Sequence, residues 1–325
     1  MMNAIVISIR FLFSHKWKII LTLLMTVAFV VILFPLSELN DLISSQVSKL
    51  TGNRVFLQLE KMHLNPLSAS ISFENIYIET PQISSLGSDE LEISPSFSAL
   101  LAKKPGGKIT AKGFLKGDVE VSIHPTSSAE GLDKSADKFK IGVVAGKINL
   151  KELQQTVNIN LPIKGELNLT AQAVADLAMT EQPELDISMT ILKFELASTS
   201  IPLQDFGQIA LPEMKLGKIE LKGRLSNGKF LIENGKLGTN QDEFYGDVKG
   251  DLSVTFQNNN GQINPIIGAY NISLDLFATQ IFKDKAKLFL SFLDGYKIDS
   301  GSVSNYKFKV YSAQMGMPPQ FTPLR

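Results

Sequence analysis

The stretch GKIELKGRLSNGKFLI, residues 217–232, sets aliphatic residues between charged ones and carries Asn227-Gly228 near its centre. A period of two belongs to a half-buried strand, because successive side chains leave opposite sides of the pleat. Asn-Gly between two such runs marks a two-residue hairpin turn, whose central positions both need positive φ. The stretch predicts two antiparallel strands with one apolar and one wet face.

The same short unit recurs outward from there: glycine, polar, aliphatic, polar, aliphatic. The copies are GDVEV at 117–121, GKINL at 146–150, GELNL at 165–169, GKIEL at 217–221 and GDLSV at 250–254. Glycine at the head admits a turn or bulge at a strand start. The spacing is irregular, so this is no fixed-period solenoid. It describes successive strands of one curved antiparallel sheet. Further strands are expected around Val55, Leu57 and Leu59, around Ile71 and Phe73, and around Ile76 and Ile78, with a bulge near Glu74-Asn75. Others are expected around Leu91 and Ile93, ended by Pro95, along 109–123, around Ile272, Leu274 and Leu276, and around Tyr306, Phe308 and Val310. Asn65-Pro66 and the run 258–261 read as turns. Residues 125–138 read as a loop, either a boundary or a surface excursion of one domain. The tail with Pro318, Pro319 and Pro323 is expected to be poorly ordered.

Two amphipathic helices are expected at 36–51, closed by Gly52, and at 280–294, closed by Gly295. Before them lies WKIILTLLMTVAFVVILFPL, residues 17–36, uncharged from Ile19 to Phe34. Twenty helical residues span about 30 Å, a bilayer's hydrocarbon thickness. Arg10, Lys16 and Lys18 precede it, and no acid occurs before Glu38. The positive-inside rule then places 1–18 in the cytoplasm, a transmembrane helix at 19–36 and a β-rich domain at 37–325 outside it. A cleaved signal peptide is the competing reading, but no A-x-A pattern follows.

Lys+Arg and Asp+Glu are both 32. Removing the three basic residues before the span leaves 29 against 32, a net of −3 for the exported part. That excludes the basic footprint of a nucleic-acid binder. Cysteine is absent, which excludes disulfides and thiolate chemistry. Together these point to a bacterial inner-membrane protein with a periplasmic domain.

Catalytic and metal signatures are not found. His15, His63 and His124 are scattered, and no HExxH spacing occurs. The run 103–108, KKPGGK, resembles a phosphate loop only superficially, having Ala102 and Ile109 where glycine and Ser/Thr are needed; it reads as a solvated hairpin turn. Asp247 and Asp251 share a strand face with Lys249, a solvated surface rather than an acid–base pair. No enzyme activity, metal or cofactor is expected.

The order of a basic N-terminus, one span, a Leu-rich helix and LTGNRVFLQLEKMHLNPLSASISFENIYIE (50–79) resembles the opening of AsmA-like periplasmic proteins. The segment 201–254, from IPLQDFGQIALPEMKLGKIELKG to GDVKGDLSV, resembles the GspN family of type II secretion, as do Asp294-Gly295-Tyr296 and Tyr306-Lys307-Phe308. The resemblance implies an elongated β-structure with a greasy groove, acting as an accessory component of type II secretion with other secretion subunits as partners.

The repeated strands place Val119, Val121, Ile148, Leu150, Leu167, Leu169, Ile219, Leu221, Leu252 and Val254 on one side. Leu167, Leu169, Ile219, Leu221, Leu252 and Val254 are the candidate apolar groove. Two helices of ~23 Å by ~10 Å are too small for a sheet ~48 Å across. The sheet must close as a sandwich, favouring a scaffold, or leave a groove open, favouring phospholipid.

Overall fold

The computed structural model describes residues 16–33, 36–65, 68–81, 85–126, 138–156, 161–176, 179–203, 207–259, 262–300, 303–314 and 317–324. Arg10, His15, Pro35, Pro66, most of the 125–138 loop and Asn260-Gly261 therefore lie outside the described residues. The strands are β1 (Phe56–Asn65), β2 (Ser70–Glu79), β3 (Leu86–Pro95), β4 (Gly107–Phe114), β5 (Gly117–Pro125), β6 (Lys138–Asn149), β7 (Ile163–Asp176) and β8 (Glu184–Leu196). Then follow β9 (Thr199–Leu203), β10 (Gly207–Leu211), β11 (Met214–Ser226), β12 (Lys229–Leu237), β13 (Phe244–Asn259), β14 (Gln262–Thr279), β15 (Lys297–Ser300), β16 (Val303–Ser312) and β17 (Gln320–Pro323).

Fifteen of these strands make one antiparallel sheet that follows the chain from β1 to β8, then from β11 to β14, then β16, with β15 and β17 on its last edge. The hairpin β9–β10 stands apart as a two-stranded sheet. The strands follow one another as a meander of hydrogen-bonded neighbours, and Gln182, in the β7–β8 turn, reaches across to β13, donating to the Phe256 carbonyl at 3.0 Å and accepting from its N–H at 2.8 Å.

Pairing aligns the sequence periodicity into rows. Directly opposed residues share a face. One row reads Leu64, Ile71, Ile93, Ile109, Val121, Val143, Ala171, Ile187, Gly223, Ile232, Gly250, Ile272, Val310, crossing the sheet from β1 to β16. On the other face, Asn168, Thr190, Glu220, Lys236, Asp247, Asp275 and Lys307 line up from β7 to β16. The sheet is apolar on one side and charged on the other.

Helices pack on the apolar face at its two ends, and the short helix 150–156 packs on β6 and β7 between them, with Leu150 buried beside Ile191. At the first end lies α2 (Leu36–Leu50), counted after α1 (Lys16–Leu33). It sets Leu39 and Ile43 against Met62, Phe73 and Ile76. Leu42 and Leu50 of its expected stripe point to solvent. Gly52, at φ 62, turns the chain into β1. At the far end, the expected single helix 280–294 is two short ones, α5 (Gln280–Lys285) and α6 (Lys287–Ser291), numbered after α3 (Phe97–Leu101) and α4 (Leu150–Thr156). The break falls at Ala286, φ −111. With it, Phe282, Ala286, Leu290 and Leu293 all reach one core with Phe244, Leu276, Tyr306 and Phe308. Phe282 stacks on Phe244 at 4.7 Å.

Several expectations are corrected. The segment 109–123 is a hairpin, β4–β5, turning at Leu115 and Lys116 with φ of 49 and 62. No register slip occurs at Glu74-Asn75; Asn75 takes φ 50 within an unbroken register, and Phe73 and Ile76 both turn inward. Of the five repeated glycines only Gly117 heads a strand; Gly146, Gly165, Gly217 and Gly250 lie inside theirs, with register shifts beside Gly146 and Gly165. Leu150 begins α4 instead of continuing a strand. The run 103–108 follows the helical turn α3 and is no simple hairpin. The tail returns as β17, whose Phe321 meets Phe308 and Tyr296; an edge tolerates its prolines. Pro125 and Lys138 end and begin neighbouring paired strands, β5 and β6.

Of the expected transmembrane helix 19–36, residues 19–33 are described and all are helical. Among the described residues no helix is long and apolar enough to cross a membrane. Helix α1 has 18 residues and opens with Lys16 and Lys18. Its uncharged part, 19–33, is about 22 Å long against the roughly 30 Å of a hydrocarbon core.

Candidate functional site: an open apolar face

The six candidate groove residues stand on the apolar face, and each is half-buried. Four come together. Leu167 and Ile219 both oppose Ile191, and Leu169 and Leu221 both oppose Met189. Strand β8 thus joins β7 and β11 into a block two rows deep. Leu252 and Val254 sit apart from it: Leu252 lies between Phe230 and Tyr270, and Val254 faces Ile267. Sequence reasoning passed over Ile187, Met189 and Ile191, although their alternation in DISMTI (186–191) was readable.

Between the two end clusters this face is covered only in part: Leu150 of α4 is buried beside Ile191, and Ile219 packs against the far end cluster. Ile93, Ile109 and Ile267 on it remain 38, 41 and 40% exposed. Each strand adds a right-handed twist, so a sheet of this many strands coils and its side chains also shield one another. Half-burial along whole rows is the outcome. Isolated exposed aliphatics are ordinary, but a continuous strip marks an interaction surface.

The other face is a lattice of ion pairs. Arg224 donates from Nε to Asp186 Oδ1 at 2.6 Å, and Lys218 lies 2.6 Å from Glu220. These contacts hold the Arg224 guanidinium above its ordinary range and Glu220 below the usual carboxylate range, hydrogen bonding to the partner being the main cause in each. Lys112 and Lys138 are likewise raised by hydrogen bonds to Glu90 and Glu181. Every one of these shifts deepens the charged state. Asp251 pairs with Lys229 at 3.2 Å, and Asp247 opposes Lys236. His63 approaches Glu74 at 3.2 Å, and His124 is on β5. Among the described residues no cluster of three His, Asp or Glu could hold a metal.

A depression of about 580 Å³ lies at the strand ends, lined by Lys138, Asp176, Glu181, Gln182, Glu184 and Asn227. Its lining is charged, and Asp176 is already engaged by the Thr180 hydroxyl at 2.5 Å. That chemistry suits water better than an acyl chain. Compared with known protein families, curated proteins and solved structures, the chain matches none.

Proposed function

We propose that the protein is a membrane-anchored, AsmA-like holder of phospholipid acyl chains, with the apolar face of its sheet as the binding surface. The observation that carries this reading is the apolar row from Leu64 to Val310, which crosses the sheet and is covered by helices only in part, with Ile93, Ile109 and Ile267 of this face left exposed. A non-directional apolar strip suits acyl chains, which need exclusion from water and no specific hydrogen bonds.

Helix α1, with the flanking apolar residues of the sequence, serves as the anchor. Its side chains Leu21, Leu23, Leu24, Met25 and Phe29 are all exposed. Thr26 satisfies its hydroxyl internally by donating to the Thr22 carbonyl at 2.8 Å. A short span is met by local bilayer thinning and by lysines reaching toward the interface. The basic flank then places the N-terminus in the cytoplasm and the sheet in the periplasm of a bacterium. The GspN-like pattern of 201–254 supports a place beside a type II secretion system, with other secretion subunits as partners. Crosslinking from membranes tests that association: recovery of secretion subunits supports it, and their consistent absence removes it.

The lipid reading is tested on the full chain purified in mild detergent. Mass spectrometry should find bound phospholipid, and Leu221→Glu should remove it while the circular dichroism spectrum and melting temperature stay close to those of the parent. A lipid-free chain, or a Leu221→Glu variant that simply unfolds, would make the face ordinary core.

A further inference from the structure

The connection from β3 to β4 takes residues 96–106, where β11 to β12 takes only Asn227 and Gly228. It is a built loop. Ser96 Oγ accepts from the Ala99 N–H at 3.4 Å and caps α3. The N–H groups of Ala102, Lys103 and Lys104 donate to Ser98, Leu100 and Ala99 carbonyls at 3.1, 3.0 and 2.9 Å. Ser96 N–H closes the base on the Gly106 carbonyl at 3.0 Å. Ala99 is fully buried, and a Cβ on Gly106 would stand 2.5 Å from its methyl. This frame holds Phe97, Leu100 and Leu101 outward, 61, 56 and 88% exposed. Leu101 is the most exposed large apolar side chain among the described residues. Lys103 and Lys104 follow directly, Lys103 exposed.

The position of the loop is as telling as its composition. Helix α2 runs back along β1, with Asn40 Nδ2 donating to the Glu60 carbonyl at 3.3 Å, so its first residues lie toward the Asn65 end of β1. Asn65 pairs with Ser70, Leu64 with Ile71, and Ile71 with Ile93. The α3 loop therefore leaves β3 at that same end. It stands two strand spacings, roughly 10 Å, from β1. The end of α1, Leu33, is three residues before Leu36, at most about 11 Å of chain.

We propose that the α3 loop is a second membrane contact. Phe97, Leu100 and Leu101 enter the boundary between headgroups and acyl chains, and Lys103 and Lys104 meet the phosphates of an anionic bilayer. The inference rests on the reading of α1 as a bilayer anchor. Two contacts at one end of the sheet fix its tilt against the membrane and set the apolar row's first strands at the lipid surface.

The chain has no cysteine, so single labels are clean. Leu101→Cys, Ser98→Cys and, as a control at the opposite end of the strands, Gln241→Cys between β12 and β13 are labelled with an environment-sensitive fluorophore. Each full chain is reconstituted into vesicles of phosphatidylethanolamine and phosphatidylglycerol containing lipid spin-labelled near the headgroup. The expected result is strong quenching at 101 and 98 and none at 241, weakened in Lys103→Glu/Lys104→Glu. A chain that floats with the vesicles yet shows no quenching at 101 and 98 overturns the loop contact and leaves the anchor standing. A chain that fails to float overturns both. A blue shift that follows protein concentration, without quenching, assigns the patch to a second copy and likewise overturns the proposal.

Discussion

Asn227 and Gly228 adopt φ of 51 and 72, and Ser226 pairs with Lys229 across them. A type I′ turn asks for this, and Asn-Gly announced it. Gly228→Val forces a β-branched side chain into the left-handed region, and its Cβ would lie 3.2 Å from the Thr255 methyl. We expect a loss of about 1 kcal/mol or more in denaturant melts. An unchanged midpoint would remove the strain argument. The turn at Leu115-Lys116 has the same backbone signs without glycine or asparagine. That is why 109–123 read as one strand: the residues carry no turn signal, and the pairing of β4 with β5 imposes the shape. Lys116→Gly should relieve the strain and raise stability by about 0.5–1 kcal/mol, despite losing an exposed ion pair to Glu152. A lowered melting temperature would count against this.

Among the elements, strands and helix α2 were legible because burial on one face imprints its period on the sequence. Leu39, Ile43 and Val47 recur at helical spacing, and Leu39 and Ile43 pack on β1 and β2. Where two elements compete for one core, the local pattern misleads. The 280–294 stripe is continuous in sequence, yet the chain bends at Ala286 to seat Phe282 and Leu290 together. Ile281, Leu288 and Phe292 are left exposed. Phe282 is 1% exposed and stacks on Phe244. Phe282→Ala should cost about 3–5 kcal/mol, the range for a large aromatic leaving a packed core. Loss of that end cluster should expose β13, β14 and β16 first, seen as faster amide exchange there than in β1 and β2. Uniform exchange across the sheet would show that the cap is not a local unit.

At the scale of the molecule, alternation and turn spacing foretold a meander and a two-faced sheet. The grouping of Leu167, Leu169, Ile219 and Leu221 follows from that alternation. The partial cover of the apolar face was legible only as a shortage of helix, because no single strand records what lies opposite it. A reporter active only in the periplasm, fused after Arg325, should be active, and the chain should resist carbonate washing. Activity only on the cytoplasmic side would reverse the orientation. The most direct test of the apolar face as a lipid surface is photo-crosslinking in intact cells. A benzophenone side chain is placed at Leu221, and in parallel at Lys222, one residue on and across the pleat. Position 221 should yield adducts of phospholipid mass while position 222 yields none. Equal lipid labelling at both positions, or none at 221, would contradict the account.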